Sequence, residues 1–276
     1  DLSQTLTYEM LSPYEQKRMH KQEKKRRKEA FKTAAAPKKK SVFVLDFKGD
    51  IAASAITALR QEITAILSVA RPEDEVVLRL ESAGGMVNAY GLAASQLARF
   101  KEKGVPLTIA VDRLAASGGY MMACVADKIL AAPFSVLGSI GVMSELPNFH
   151  RLLKKHDIDY EQITAGEYKR TLTLFGENTD KARAKFTEQI EDAHGLFKEF
   201  VKENRPTVDV DAVSTGEYWY GRRAQELNLV DELITSDDYL LRMAEETAIF
   251  EVTYKPKETL REKIAAELEH VVERLG

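Results

Sequence analysis

A chain of 276 residues, 44% of them hydrophobic, can bury a substantial core as one large or two small domains. The single cysteine, Cys124, excludes an intrachain disulfide, and no run approaches the roughly eighteen apolar residues that a membrane-crossing helix needs. The net charge of -3 is uneven: residues 16–40 carry twelve Lys/Arg against two Glu, a balance of +10 that leaves -13 for the rest.

Residues 1–40 read as a basic N-terminal arm and linker. Gln16 to Lys32 permits a helix but has no adequate apolar face, and Ala34 to Lys40 is a linker around Pro37. Such a block suits acidic lipid headgroups, nucleic acid or plain solvation. Phe31 is the one Phe, Tyr or Trp within residues 16–40, which argues against stacking on single strands, and no nucleic-acid partner is expected. The chain opens on Asp1 rather than methionine, which reads as removal of an upstream segment.

From Ser41 the pattern alternates strand and helix. SVFVLDF (41–47) is a strand, and Ile56, Leu59, Ile63, Ile66 and Ala70 recur at helical spacing, predicting a helix over 53–70 that Arg71-Pro72 stops. EVVLRL (75–80) is the next strand and runs into the turn Ser82-Ala83-Gly84-Gly85. A helix over 88–103 stops at Gly104, and PLTIAV (106–111) is a third strand. Short strands are expected near 129–132 and 139–142, a helix over 147–155 and a strand at 160–164. A loop at 165–176 precedes a long helix over 179–204. Then come a small α-rich cap over 210–233 holding Trp219, a helix over 237–247, a strand near 250–254 and a charged helix over 258–275. Apolar strands alternating with helices imply a parallel sheet covered on both faces, with ligands gathering at the strand C-terminal ends.

Ser117 follows the third strand in the tract VDRLAASGGYMMAC (111–124). Ala115, Ala116, Gly118 and Gly119 leave room for a substrate backbone, and a helix start offers free N–H groups and the positive end of the helix dipole. Both a capping serine and a nucleophile fit there. Gly84-Gly85 leaves the neighbouring strand end and reads either as a tight turn or as backbone N–H groups aimed at an anion. Cys124 reads as a buried core thiol.

A nucleophilic serine needs a proton acceptor. His20, His150, His156, His194 and His270 all fall outside glycine turns and strand ends, and read as surface or packing residues. Lys169 lies near Leu172, Leu174 and Phe175, apolar walls of the kind that hold an amine uncharged; most lysines are simply exposed.

The tracts LESAGGMV (80–87), DRLAASGGY (112–120), ADKI (126–129), GSIGV (138–142) and AGEYKR (165–170) occur in that order. This set resembles the signal-peptide-peptidase (SppA/SohB) serine peptidases of the Clp/crotonase fold. The tract GLAASQLAR (91–99), with YKRTLTL and GENT after it, is most similar to the SohB branch. The resemblance spans about residues 41–247, the expected peptidase domain, with 248–276 as a C-terminal strand and helix. It implies an α/β, repeated ββα core with a parallel sheet and helical cap, one copy per chain. By resemblance Ser117 is the nucleophile, Lys169 the general base and Ser139 the hydroxyl that orients the amine. The oxyanion hole takes an N–H from Gly84 or Gly85 and that of Gly118. Ala83 stands where the family turn usually has proline.

The resemblance implies a serine endopeptidase with a Ser-Lys dyad, acting on hydrophobic peptides such as signal-peptide or membrane-protein remnants, with no metal or cofactor. It also implies a homo-oligomer, because serine and lysine of family members sometimes come from different copies of the fold. Association with the bacterial inner membrane, on a side the sequence does not set, would use an upstream anchor and the basic arm. The rival readings are a crotonase-like acyl-thioester enzyme, a histidine-based α/β-hydrolase, and a membrane-tethered binding protein with a vestigial site. No acid-then-histidine pair follows Ser117, which counts against the second.

Overall fold

The computed structural model describes residues 39–255. The basic arm before Lys39 and the charged helix expected at 258–275 lie outside the described residues.

Strand β1 (Ser41–Gly49) buries Val42, Val44, Leu45 and Phe47. It pairs in parallel with β2 (Glu75–Ser82) along its whole length, from Val42 opposite Glu75 to Gly49 opposite Ser82. Helix α1 (Ile56–Leu67) connects them and turns Leu59, Ile63 and Ile66 inward, as the spacing predicts. Burying each such side chain contributes about 1.5–3 kcal/mol. Glu62 is buried on the same helix, where it accepts the Tyr254 N–H at 2.8 Å, and burial raises its pKa.

Helix α2 (Val87–Glu102) leads to β3 (Leu107–Val111), which is buried throughout. β3 pairs with β2 only at Val76–Arg79. Asp112 and Arg113 then break the strand, and a short β4 (Leu114–Ala116) takes up pairing with β2 at Ser82 opposite Ala115. The sheet therefore forks beyond β2. One branch continues from β3 through β5 (Lys128–Ala131) to β8 (Glu232–Leu233), and the other from β4 through β6 (Val136–Gly138) to β7 (Tyr218–Tyr220). Among these pairings β6·β7 is antiparallel; the others are parallel. The fork turns the end of β4, with Ser117 next in sequence, toward the end of β2 and its glycine turn.

The remaining helices are α3 (Gly118–Ala123), α4 (His150–Lys155), α5 (Asp180–Asn204), α6 (Val210–Val213), α7 (Gly221–Glu226) and α8 (Ser236–Glu246). Thr179 caps α5 by accepting the Ala182 N–H, and Thr235 caps α8 in the same way. Asp112, at the fork, accepts both the N–H and the hydroxyl of Ser236, fixing α8 to the sheet. β9 (Ala248–Glu251) adds to the outer edge of β1.

Three segments differ from expectation. Residues 160–164 form no strand: the Tyr160 ring packs on Phe175, 5.8 Å between centroids, and the segment lies exposed. Residues 139–142 are irregular because Gly138 and Ser139 both take positive φ, which ends β6. The region expected as an α-rich cap is mixed, since Tyr218–Tyr220 and Glu232–Leu233 extend the two branches of the sheet. Trp219 packs close to Gly138, whose missing side chain makes that approach possible: a Cβ there would meet the indole at 2.7 Å.

Candidate active site

Ser117 stands at the N-cap of α3, a helix whose six residues are all buried. Its side chain makes no capping hydrogen bond, which removes the reading of a plain capping serine. Its backbone is held at φ 53°, ψ -121°, outside the left-handed well and sparsely populated for any residue with a side chain. Two bonds hold that conformation. The Ser117 N–H donates to Gly138 O at 2.8 Å, and Ser117 O accepts the Met121 N–H at 3.0 Å. A serine on such a strand-to-helix turn is presented outward, as nucleophile turns of other α/β folds present theirs.

The turn after β2 closes on this serine. Gly84 has φ 87°, and a Cβ on it would meet Gly118 N at 2.6 Å and Ser117 Cβ at 2.9 Å, so only glycine permits the approach. The Gly84 N–H donates to Ser82 Oγ at 3.0 Å. Ser82 Oγ in turn shares a 2.5 Å hydrogen bond with Tyr90 OH, which donates to Asp50 O at 2.7 Å. Burial raises the Tyr90 pKa, so its hydroxyl stays a donor in this chain. Gly84 thus spends its N–H inside the turn. The N–H groups of Gly85 and Gly118 have no acceptor among the described residues.

Ser117, Ser139, Gly84 and Gly85 line one cavity of about 660 Å³, together with Ile51, Ala83, Val87, Gly141, Val142, Met143, His194, Thr215 and Gly216. Ser139 reaches it because its N–H donates to Glu217 O at 2.6 Å, next to the β6·β7 pairing. This volume suits a short stretch of peptide. Lys169 is elsewhere. It is exposed, and lines a second cavity with Arg170, Leu174 and Phe175, two of them the apolar walls expected from sequence. The single chain therefore joins Ser117, Ser139 and the glycines, and leaves Lys169 outside their cavity.

His194, read from its sequence context as a surface or packing residue, is partly buried and is among the residues lining the Ser117 cavity. A signal for this exists: Ile190, His194, Phe197 and Val201 form one stripe of α5, and His194 interrupts its apolar character. Cys124, at the C-terminal end of α3, is buried, its thiol donating to Met121 O, and burial pushes its pKa to about 12. Among the described residues no group of three His, Cys, Asp or Glu side chains could hold a metal ion, and no helix is long and apolar enough to cross a membrane.

A forked, mostly parallel sheet carrying a serine at the start of a buried helix, beside a glycine turn, defines a Clp/crotonase-like α/β protein. The solved structure of a variant of the "1510-N membrane-bound stomatin-specific protease" has the same fold, with a TM-score of 0.50 and 14% identity over 79% of this chain and 100% of that one. The family model for peptidase family S49 matches residues 99–249, and that for its N-terminal region matches residues 1–97. The chain belongs to peptidase family S49. "Probable protease SohB" of Haemophilus influenzae is 59% identical over 84% of this chain and 66% of its own length. A protein of the same name from Buchnera aphidicola subsp. Acyrthosiphon pisum is 53% identical over 84% of this chain and 69% of its own length. The chain thus spans about two thirds of the length of these relatives.

Proposed function

We propose that this chain is a serine endopeptidase in which Ser117 is the nucleophile and Lys169 the general base. The observation that carries this reading is Ser117 itself: an uncapped hydroxyl on a strained backbone, opening on a cavity beside two N–H groups without acceptors. Ser117 Oγ attacks the peptide carbonyl carbon while Lys169 Nζ takes its proton. The carbonyl oxygen becomes the oxyanion and is held by the N–H groups of Gly85 and Gly118, while Gly84 shapes the turn. Each such donor typically accelerates acyl transfer about a hundredfold or more. The protonated lysine gives its proton to the leaving amine. Water then attacks the acyl-enzyme, with the same amine as base, and restores the Ser117 hydroxyl. Ser139 orients the lysine.

Lys169 enters the Ser117 cavity from a neighbouring copy of the chain. Two features support this: the lysine is exposed on its own chain, and residues 143–163 before it carry exposed apolar side chains (Met143, Leu146, Phe149, Leu152, Ile163) suited to burial in a homo-oligomer. Ile51, Val87, Val142 and Met143 give the cavity apolar walls, which favours hydrophobic peptides such as signal-peptide or membrane-protein remnants. Association with the inner membrane follows from such substrates and from the basic block at 16–40. An acyl-thioester enzyme could use the same anion pocket, but it has no need of a strained serine there.

The test is labelling with an alkyl fluorophosphonate, followed by mass analysis of the modified peptide. Wild-type protein labels at Ser117, while Ser117→Ala and Lys169→Ala do not. Labelling of the lysine variant at the wild-type rate ends the dyad assignment.

A further inference from the structure

Tyr90 and Ser82 form a polar pair inside the core. Both are buried, Tyr90 completely, and Ser82 Oγ lies 2.5 Å from Tyr90 OH. Proton count sets the direction of the bonds. Tyr90 OH has one proton and donates it to Asp50 O at 2.7 Å, so Ser82 donates to Tyr90. Ser82 Oγ then accepts the Gly84 N–H at 3.0 Å. The chain of bonds runs from the glycine turn after β2, through two buried hydroxyls, to the loop after β1. Gly49, opposite Ser82 in the β1·β2 pairing, leaves the room: a Cβ there would meet Ser82 Oγ at 2.5 Å and strike the Tyr90 hydroxyl as well.

Both N–H groups assigned to the oxyanion rest on this pair. Gly85 packs so closely on the Ile51 main chain that a Cβ would meet Ile51 Cα at 2.6 Å, and the Met86 N–H donates to Ile51 O at 2.8 Å. Asp50, whose carbonyl takes the tyrosine proton, immediately precedes Ile51. Gly118 packs on the tyrosine itself: a Cβ there would meet Tyr90 Cγ at 2.5 Å. Phe47 meets the ring edge-on, 6.5 Å between centroids, and α2, which carries Tyr90, packs against α3, which begins at Gly118. One side chain thus ties together the turn at 82–86, the loop at 50–53 and the start of α3.

We propose that Tyr90 is a positioning residue for the oxyanion: its ring seats Gly118, and its hydroxyl, through Ser82 Oγ and Asp50 O, seats Gly85, so that the two N–H groups converge on one point. This rests on the peptidase reading of Ser117. Tyr90 is sealed inside the protein, and its hydroxyl is spent on Ser82 and Asp50, so its effect passes through the donors it holds. A tyrosine that only packs would act by its ring alone, which phenylalanine also has. Hydrogen bonds to the oxyanion strengthen as its charge develops, so loosened donors cost the transition state and spare substrate binding.

The experiment measures inhibition by an N-acetyl trileucine aldehyde and by the matching alcohol. With the aldehyde, Ser117 Oγ bonds to the carbonyl carbon, the C=O π bond opens, and the serine proton passes to Lys169. The hemiacetal oxygen then takes the place of the oxyanion, whereas the alcohol binds without a covalent bond. The readout is the ratio of inhibition constants, alcohol over aldehyde. Tyr90→Phe keeps the ring and lowers this ratio about tenfold, part of the hundredfold or more that a whole donor supplies, while the alcohol binds within about twofold of wild type. Ser82→Ala breaks the same chain from the turn side and lowers the ratio likewise. The double variant falls no further than the lower single, because both act through one chain. A ratio unchanged in Tyr90→Phe overturns the proposal; if that variant does not fold, an unchanged ratio in Ser82→Ala does so alone. Losses that add in the double variant also overturn it, as does equal weakening of aldehyde and alcohol, because the hydroxyl then serves the fold. Wild-type protein that binds the aldehyde no better than the alcohol overturns the peptidase reading itself, an outcome distinct from a wild-type gap that the variants leave intact.

Discussion

The Ser117 N–H donates to Gly138 O at 2.8 Å, and this one bond joins the serine to the residue that precedes Ser139. It holds Ser117 at φ 53° and brings both hydroxyl-bearing residues to one cavity. The conformation stores strain. A residue with a Cβ in such a region costs about 1–3 kcal/mol, whereas glycine reaches it freely. Glycine's extra unfolded-state entropy costs about 0.5–1 kcal/mol, so relief of strain wins by about 1 kcal/mol. Ser117→Gly should therefore melt about 2–4 °C above Ser117→Ala. Both should lose acylation by at least about a thousandfold. A Ser117→Ala protein as stable as the glycine variant, in thermal melts at one protein concentration, would show that the serine carries no strain.

Placing Lys169 and Ser117 in separate cavities of one chain leads to a complementation experiment. Lys169→Ala alone should lose about a hundredfold or more in peptide cleavage, the usual contribution of a general base. Ser117→Ala should be inactive too, yet it still carries the lysine. Co-expressed in one oligomer, the two variants rebuild a serine from one copy beside a lysine from the other. Activity well above either parent is the expected outcome. A mixed assembly as inactive as its parents means that each chain completes its own dyad.

Much of the scaffold is legible in the sequence because local pattern and tertiary role agree. The apolar runs of β1, β2 and β3, and the 3.6-residue stripe Leu59, Ile63, Ile66, have the period their burial requires. The fork is not legible, because Asp112-Arg113 looks like an ordinary turn and Leu114–Ala116 is too short for any period to register. Tyr160–Thr164 has strand-like composition but lies exposed and joins none of the described strands, and tertiary context overrides propensity. At the site, the glycine turn and Ser117 stand out by residue type. That Gly85 rather than Gly84 keeps its N–H free depends on Ser82 Oγ, a hydrogen bond no spacing encodes. His194 is hard to single out because the sequence does not say which face of α5 meets the cavity.

The chain's one cysteine should be inert, although it lies seven residues after Ser117. Burial pushes the Cys124 thiol up to about 12, so at neutral pH almost none is the reactive thiolate. Iodoacetamide should neither modify the native protein nor slow peptide cleavage, and should react only after denaturation. Inactivation of the folded enzyme together with alkylation of Cys124 would mean that this helix opens to solvent.

Asp74 makes the acid side of stability predictable. Its carboxylate accepts the Ser41 N–H at 2.8 Å, the Arg71 N–H at 2.9 Å, and Arg71 Nε and Nη2 at 3.1 and 2.8 Å. Burial pushes the carboxyl up, but the Arg71 guanidinium and the two backbone donors outweigh it and hold the pKa at about 2. Because the folded value lies below the unfolded one, the stabilisation is complete above the ordinary carboxylate pKa and is lost as pH falls toward 2. Its size is roughly 2 kcal/mol. The bond to Ser41 ties the start of β1 to the turn entering β2, the pair whose far end carries the Gly84 turn. Asp74→Asn should therefore be less stable than wild type by roughly 2 kcal/mol at pH 7 in urea unfolding. The two proteins should converge between about pH 4 and about 2, because carboxylates common to both cancel in the difference. A gap that stays constant from neutral pH down to about 2.5 would mean that Asp74 titrates alike in the folded and unfolded chain.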